Sequence, residues 1–294
     1  MIRFSCANFT FPLLTRAQML QLLRILEIEA IDLGLFARPT HFPLAEMLQE
    51  PRCSGRAVRR ELQACGLIPA DVFLQIGEEP AQFSVNDPDP GVRRQNREVF
   101  AKTLDFCSSL GCNHMTGLPG VWHETLSRED AVRLAREETA WRVATARQAD
   151  IAYAVEAHLG SIITTPEVVL QFLDTVPGLT LTLDYGHFIA SGLDSQQVHP
   201  LTARASHIHV RGGSPGQLQA RMAENTIDFV GMVQRLESCG YTGYYCLEYV
   251  WVDWQGCDRA DNISETLLLR RQLQQLAASA AATRNSCAPS RGAL

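Results

Sequence analysis

Several features that mark other classes of protein are missing from this sequence of 294 residues. Basic residues are not in excess, because 26 Lys and Arg stand against 32 Asp and Glu and give a formal charge of −6. The basic pairs Arg93–Arg94 and Arg270–Arg271 lie in amphipathic helical patterns rather than in a basic stripe. Since phosphate neutralisation supplies most nucleic-acid affinity, the composition argues against DNA or RNA as a partner.

The sequence also lacks a CxxC pair and an apolar run of about 18 residues, the length that a membrane span requires. Its nine cysteines are scattered, and its first residues follow the pattern of a strand rather than that of a signal peptide. These absences predict free thiols and a cytoplasmic protein with no membrane association. Hydrophobic residues at 46% and charged residues at 20% are typical of a globular protein and exclude disorder.

What the sequence does contain is a regular alternation of short apolar runs and longer segments of helical periodicity. The runs recur about every 34 residues, the size of a βα repeat. Eight such units predict an α/β protein, a (β/α)8 TIM barrel in a single domain over residues 1–276. Residues 277–294 are rich in Ala and Ser and predict a flexible C-terminal tail. The predicted strands are Ile2–Asn8, Ala30–Leu35, Val72–Ile76, Asn113–Gly117, Ile151–Glu156, Thr180–Asp184, Ser206–Val210 and Tyr244–Glu248.

Helices are predicted between these strands, together with two long connections. The connections Phe36–Gly55 and Leu118–Ser127 follow the second and fourth strands, and loops in that position line the active face of a barrel. Thr226 is the predicted cap of a helix that carries Phe229 and Leu236. The other predicted helices are Thr15–Glu27, Gly91–Leu110, Ala131–Ala149, Pro166–Thr175 and Ser264–Leu276.

An ionisable residue stands at the end of each of the last four predicted strands. These residues are Glu156, Asp184, His209 and Glu248. In a barrel the ends of neighbouring strands converge, so the four side chains are expected to meet above the barrel. His209 is preferred to His207 on the seventh strand because it lies nearer the strand end, which places His207 one layer deeper.

Three carboxylates and one imidazole form a hard, oxygen-rich site for one divalent metal ion. The absence of a thiolate from this set favours Mn²⁺ or Mg²⁺, with Co²⁺ or Zn²⁺ as alternatives. Any one of these residues alone is more often a solvated or capping group. The set of four is harder to explain that way, because buried carboxylates are costly unless they are paired or bind a metal.

Four segments around these residues resemble the xylose-isomerase-like TIM-barrel superfamily of sugar isomerases and epimerases. They are VEAH (155–158), LDYGH (183–187), HIHVRGG (207–213) and CLEYVW (246–251). Relatives in that superfamily include tagatose/psicose 3-epimerases, hydroxypyruvate isomerase, inosose dehydratase and endonuclease IV. The loop from Arg211 to Gln219 departs from the usual epimerase pattern, and the extra histidines of the endonuclease are not evident.

The resemblance implies a role for each matching residue. It implies that Glu156, Asp184, His209 and Glu248 bind the metal, and that Glu156 and Glu248 also transfer protons. His187 matches a substrate-binding histidine, and Arg211 matches loosely a substrate-clamping arginine. His158, which closes the VEAH segment, and Trp122, a wall for a sugar ring on the loop Leu118–Ser127, complete the expected substrate site.

Together these residues predict a divalent-metal-dependent isomerase or epimerase of a sugar, keto-sugar or related polyol. Carboxylates would transfer a proton through a metal-stabilised enediolate. The same site is compatible with two alternatives, a metal-dependent dehydratase or lyase on a sugar or cyclitol derivative and a non-catalytic sugar-binding barrel subunit. The expected partner is a small-molecule sugar or polyol, and a homo-oligomer is compatible with the sequence.

Overall fold

Eight parallel β-strands close into a barrel in the computed structural model, which describes residues 2–38 and 40–286, and their side chains up to residue 278. Each strand pairs with its neighbours in the chain, and the eighth pairs with the first. This architecture confirms the predicted (β/α)8 barrel. The strands are β1 (Arg3–Ala7), β2 (Ala30–Phe36), β3 (Ile68–Gln75), β4 (His114–Gly117), β5 (Ala152–Glu156), β6 (Thr180–Asp184), β7 (Ala205–Val210) and β8 (Tyr244–Leu247).

Helices connect the strands and cover the outside of the barrel. The α-helices are α1 (Arg16–Ile25), α2 (Leu44–Met47), α3 (Pro51–Ala64), α4 (Pro90–Leu110), α5 (Arg128–Gln148), α6 (Pro166–Thr175), α7 (Tyr185–Ala190), α8 (Ser195–Val198), α9 (Phe229–Ser238) and α10 (Asn262–Ser286). Short 3₁₀ segments occupy Asn8–Thr10, His199–Arg204, Met222–Glu224 and Trp254–Arg259. None of the described helices has an apolar stretch of the length and hydropathy that crossing a membrane demands.

The predicted strands agree closely with the observed ones. The strand β3 begins four residues before the predicted Val72, and the ends of the other strands differ by at most one residue. Helix starts follow the capping chemistry of the sequence. The Thr15 hydroxyl accepts from the Gln18 N–H at the start of α1, and Ser127 accepts from the Asp130 N–H at the start of α5.

Three local predictions need correction. The predicted cap Thr226 does not start α9, because the side chain of Asp228 accepts from the Gly231 N–H instead. The predicted connection Phe36–Gly55 is not a continuous loop, since it contains α2 and the start of α3 at Pro51. The final helix continues to Ser286, beyond the predicted end at Leu276.

The tail predicted for residues 277–294 therefore includes the last part of α10, and residues 287–294 lie outside the described residues. The barrel itself is filled and surrounded by one large hydrophobic cluster, which includes Ile31, Leu33, Phe106 and Phe172. The eight described cysteines are free, as predicted, so the core is stabilised by packing without disulfides among the described residues.

Candidate metal centre

The four predicted ligands lie together at the carboxyl ends of β5 to β8. Glu156 and Asp184 are the last residues of their strands, His209 is the last but one of β7, and Glu248 directly follows β8. Strand register aligns them, because Asp184 pairs with His209 across β6 and β7. All four side chains are buried, with at most 4% of each residue exposed.

His209 is the centre of this group. Its Nδ1 lies 2.6 Å from Glu156 Oε1, in hydrogen-bond contact, and 3.4 Å from Glu248 Oε2. One donor atom from each of Glu156, His209 and Glu248 falls within 4.8 Å of the others. The opposite ring nitrogen, Nε2, faces into the barrel, where Asp32 Oδ2 lies 3.6 Å away.

His187 joins Glu156 and Asp184 in a second group whose donor atoms lie within 4.8 Å of one another. Its Nε2 is 3.6 Å from Asp184 Oδ2 and 3.8 Å from Glu156 Oε2. Its Nδ1 accepts a hydrogen bond of 3.1 Å from the Leu159 N–H. A neutral His187 therefore carries its proton on Nε2, and the N–H faces the two carboxylates.

Arg211 contacts two of the predicted metal ligands directly. Its guanidinium donates to Asp184 Oδ2, at 2.9 Å through Nε, and one terminal nitrogen also donates to Glu248 Oε2. The next residue is required to be glycine, since a Cβ on Gly212 would lie 2.5 Å from the Tyr249 hydroxyl and 2.5 Å from the Ala220 carbonyl oxygen. This close approach holds the chain where Arg211 enters the site.

The charges of the site shift the pKa values of its members in opposite directions. Burial would raise the pKa of Glu156, but the cationic His209 lowers it to about 2. Burial raises the pKa of Glu248 to about 7, even though Arg211 and His209 oppose the shift. Burial would lower the pKa of His209, but Glu248 and Glu156 raise it well above its ordinary value. Burial also lowers the pKa of His187, which favours its neutral form.

The residues fit a divalent cation. With His209 neutral, three ionised carboxylates and the Arg211 cation sum to a charge of −2, which one divalent ion balances. The ligand types are those of a hard metal site, and Nδ1 of His209 already faces two of the carboxylates. Glu156, Asp184, His209 and Glu248 would hold the ion.

The remaining predicted site residues have different surroundings. His158 is buried near His187, with ring centroids 6.4 Å apart, and neither of its ring nitrogens has a hydrogen-bond partner among the described residues. Trp122 is 40% exposed and stacks on the Arg128 guanidinium. The tryptophan that lies beside His187 is Trp254, with ring centroids 6.4 Å apart. It follows β8, and the rule that loops after strands line the active face would have singled it out.

Sequence reasoning also missed Asp32. This carboxylate lies in the middle of β2, is 1% exposed and accepts a short hydrogen bond from His207 Nε2. The prediction that His207 lies one layer below His209 is consistent with this contact. The available signal was a single acidic residue within the otherwise apolar run AIDLGLF (30–36).

Comparison with known proteins supports the architecture over most of the chain. Residues 21–273 match the family model of the xylose isomerase-like TIM barrel. A search of curated proteins found no match.

Several solved structures share the fold at low sequence identity. An L-ribulose 3-epimerase is 16% identical with a TM-score of 0.74, and the alignment covers 100% of both chains. The probable 3-DHS dehydratase AsbF from Bacillus anthracis is 13% identical with a TM-score of 0.68, covering 92% of this chain and 99% of that one. The IOLI protein, solved with a bound zinc atom, is 15% identical with a TM-score of 0.70, covering 95% and 97%. At these identities the likeness extends to the fold alone.

Proposed function

Because the chain belongs to the xylose isomerase-like TIM barrel family, we propose that it is a divalent-metal-dependent isomerase or epimerase of a sugar, keto-sugar or related polyol. The observation that carries the proposal is the pair of buried carboxylates, Glu156 and Glu248, next to the same nitrogen of His209. Two carboxylates close to one metal-ligand nitrogen supply the groups that remove and return a proton at a carbon next to a carbonyl.

The bound cation would act as a Lewis acid on the carbonyl and hydroxyl oxygens of the substrate. Glu248 is the more basic of the two carboxylates, because burial raises its pKa to about 7 before a cation binds whereas the pKa of Glu156 is about 2. Glu156 is ionised and accepts a proton from the substrate carbon at a carboxylate oxygen. His187, with its Nε2 proton facing the carboxylates, orients a substrate hydroxyl.

A dehydratase is the second candidate, and His187 is the observation in its favour. An N–H donor held 3.6 Å from Asp184 and 3.8 Å from Glu156 is placed to hydrogen-bond a hydroxyl that leaves from the carbon next to the reacting one. A dehydratase and an epimerase share the first proton abstraction, so the two reactions differ in whether water is lost.

The test is solvent exchange in D₂O with the Mn²⁺-loaded protein and a panel of ketoses, inososes and keto-sugars, followed by NMR and mass spectrometry. Deuterium uptake without loss of water supports the epimerase or isomerase, whereas uptake with loss of a hydroxyl supports the dehydratase. Tight metal binding with no uptake into any compound overturns both and favours a binding barrel. Glu248→Gln should reduce exchange by about 10²–10⁴-fold. The matched control is Glu265→Gln. Glu265 is a buried glutamate of α10 that lies outside the site and accepts a hydrogen bond from the Met222 N–H, so its replacement should leave exchange unchanged.

A further inference from the structure

Asp32 is a buried carboxylate that the proposed reaction does not use. It lies on β2, pairs in register with Ala7 on β1 and Asp71 on β3, and is 1% exposed. A buried carboxylate destabilises the fold unless its oxygens accept hydrogen bonds. The groups that face the Asp32 carboxylate are two histidines across the barrel, His207 and His209 on β7.

One oxygen of Asp32 bonds one histidine of β7 and faces the other. Oδ2 accepts the short hydrogen bond from His207 Nε2 and lies 3.6 Å from His209 Nε2. The second distance is too long for a hydrogen bond. Both Asp32 Oδ1 and His209 Nε2 are buried without a hydrogen-bond partner among the described residues. A buried donor and acceptor that make no hydrogen bond destabilise the fold, and a movement of roughly half an ångström would bring His209 Nε2 within hydrogen-bond distance of Asp32 Oδ2.

His209 has to keep one proton in order to bind a cation with the other nitrogen. Its Nδ1 faces Glu156 and Glu248, so the lone pair for the metal belongs on Nδ1 and the proton on Nε2. Histidines that bind metals usually donate the second N–H to a carboxylate or a carbonyl, which fixes the tautomer and the ring orientation. Asp32 is the carboxylate on that side of the ring.

We propose that Asp32 is a positioning residue for His209: its carboxylate accepts a hydrogen bond from the His209 Nε2–H, so that the proton stays on Nε2 and Nδ1 presents its lone pair to the cation, while His207 holds the Asp32 carboxylate in place. The inference rests on the proposed metal site. It means that Asp32 on β2, a strand on the opposite side of the barrel from β5 and β6, contributes to metal affinity.

The surroundings of Asp32 agree with this role. Phe73 packs near the His209 ring, with centroids 5.9 Å apart. Cys246 also lies within 4.8 Å of Asp32, His207 and His209, and the four side chains form a group that could itself hold a metal. The direct hydrogen bond between His207 and Asp32 occupies the middle of that group, so the structure favours a supporting carboxylate over a second metal site.

Calorimetric titration with Mn²⁺ tests the proposal on wild type, Asp32→Asn and Asp71→Asn. Asp71 is the matched control, because it is the register partner of Asp32, is equally buried and also bonds a histidine, His114. Asp32→Asn should weaken binding by about 10–100-fold, as is usual when a supporting carboxylate is lost, and Asp71→Asn should leave it within about twofold. Unchanged affinity in Asp32→Asn overturns the inference alone, whereas a wild type that binds no divalent ion overturns the proposed function with it.

A second measurement keeps the proposal testable if Asp32→Asn does not fold. In the Zn²⁺-loaded wild type labelled with ¹⁵N-histidine, long-range ¹H–¹⁵N NMR reports which His209 nitrogen carries the proton. A strongly hydrogen-bonded proton on Nε2 supports the proposal, and a proton on Nδ1 overturns it. Two ions per chain in wild type and one in Asp32→Asn would also overturn it, since Asp32 would then be a ligand of a second site.

Discussion

Arg211 and Asp184 form a buried ion pair in which Nε of the guanidinium lies 2.9 Å from Oδ2 of the carboxylate. Burial alone would lower the pKa of Arg211, but the carboxylates of Asp184 and Glu248 together have the larger effect and raise it above its ordinary value. The guanidinium therefore stays charged. The sequence assigned Arg211 to the substrate, and the structure places it on two of the candidate metal ligands. Its charge therefore compensates part of the negative charge of the site whether or not a cation is bound.

Replacing Arg211 with methionine should destabilise the protein more without metal than with it. Removing one partner of a buried ion pair typically costs about 3–5 kcal/mol, because the remaining charges are left uncompensated. A bound cation would supply positive charge to Asp184 and Glu248, so Arg211→Met should lose less stability in Mn²⁺ than in EDTA. Urea unfolding under both conditions measures the difference.

The surface variant Arg133→Met is the control for that experiment. Arg133 pairs with Asp130 and Glu137 on α5, and its side chain is 53% exposed. Exposed ion pairs contribute little to stability because solvent screens them, so this variant should lose little under either condition. Equal losses for Arg211→Met in Mn²⁺ and in EDTA would contradict a cation near Asp184 and Glu248.

Metal affinity should increase with pH. The pKa of Glu248 is about 7 and that of His209 is raised well above its ordinary value, so both carry protons that a cation must displace. Between pH 6 and 8 the release of the Glu248 proton alone strengthens binding by about tenfold. Calorimetry in buffers of different ionisation enthalpy counts the protons released, and an affinity that does not change over this range would refute the assignment of these ligands.

The barrel and its four candidate ligands were predictable from the sequence because each depends on local patterning. Apolar runs define the strands, and an ionisable residue at the end of a strand is visible as the point where the run stops. Glu156, Asp184, His209 and Glu248 were all recognised in this way. Parallel neighbours in a closed barrel then bring consecutive strand ends together without further information.

Contacts across the barrel were not predictable in the same way. Asp32 and His207 are 175 residues apart in the sequence, and only the closure of the sheet places them in contact. The position of Arg211 depends on the close approach of Gly212 to Tyr249, which no periodicity encodes. The cap of α9 was assigned two residues early, because Thr226 and Asp228 are both good capping residues and tertiary contacts decide between them.

Two substitutions at His187 should separate its hydrogen bond to the backbone from its contact with substrate. Asparagine places a polar atom near the position of Nδ1, which bonds the Leu159 N–H, whereas glutamine reaches the position of Nε2. If Nε2–H orients the substrate equally in the ground and transition states, His187→Asn should raise KM with little change in kcat. His187→Gln should raise KM less. Steady-state kinetics on the compound that shows exchange measures both, and KM values equal to wild type would make His187 a structural residue.

His158 should make the protein less stable as the pH falls from about 6.5 to 4. Burial lowers its pKa to about 4, so the folded chain keeps the imidazole neutral while the unfolded chain takes up a proton near pH 6.5. The unfolded state then binds more protons, and the stabilising contribution of His158, about 3 kcal/mol above pH 6.5, is lost by pH 4. Urea unfolding in EDTA across this range should show a shallower pH dependence in His158→Phe than in wild type. Parallel curves for the two proteins would mean that His158 is solvated and titrates in the same way in both states, which its two unpartnered, buried ring nitrogens argue against.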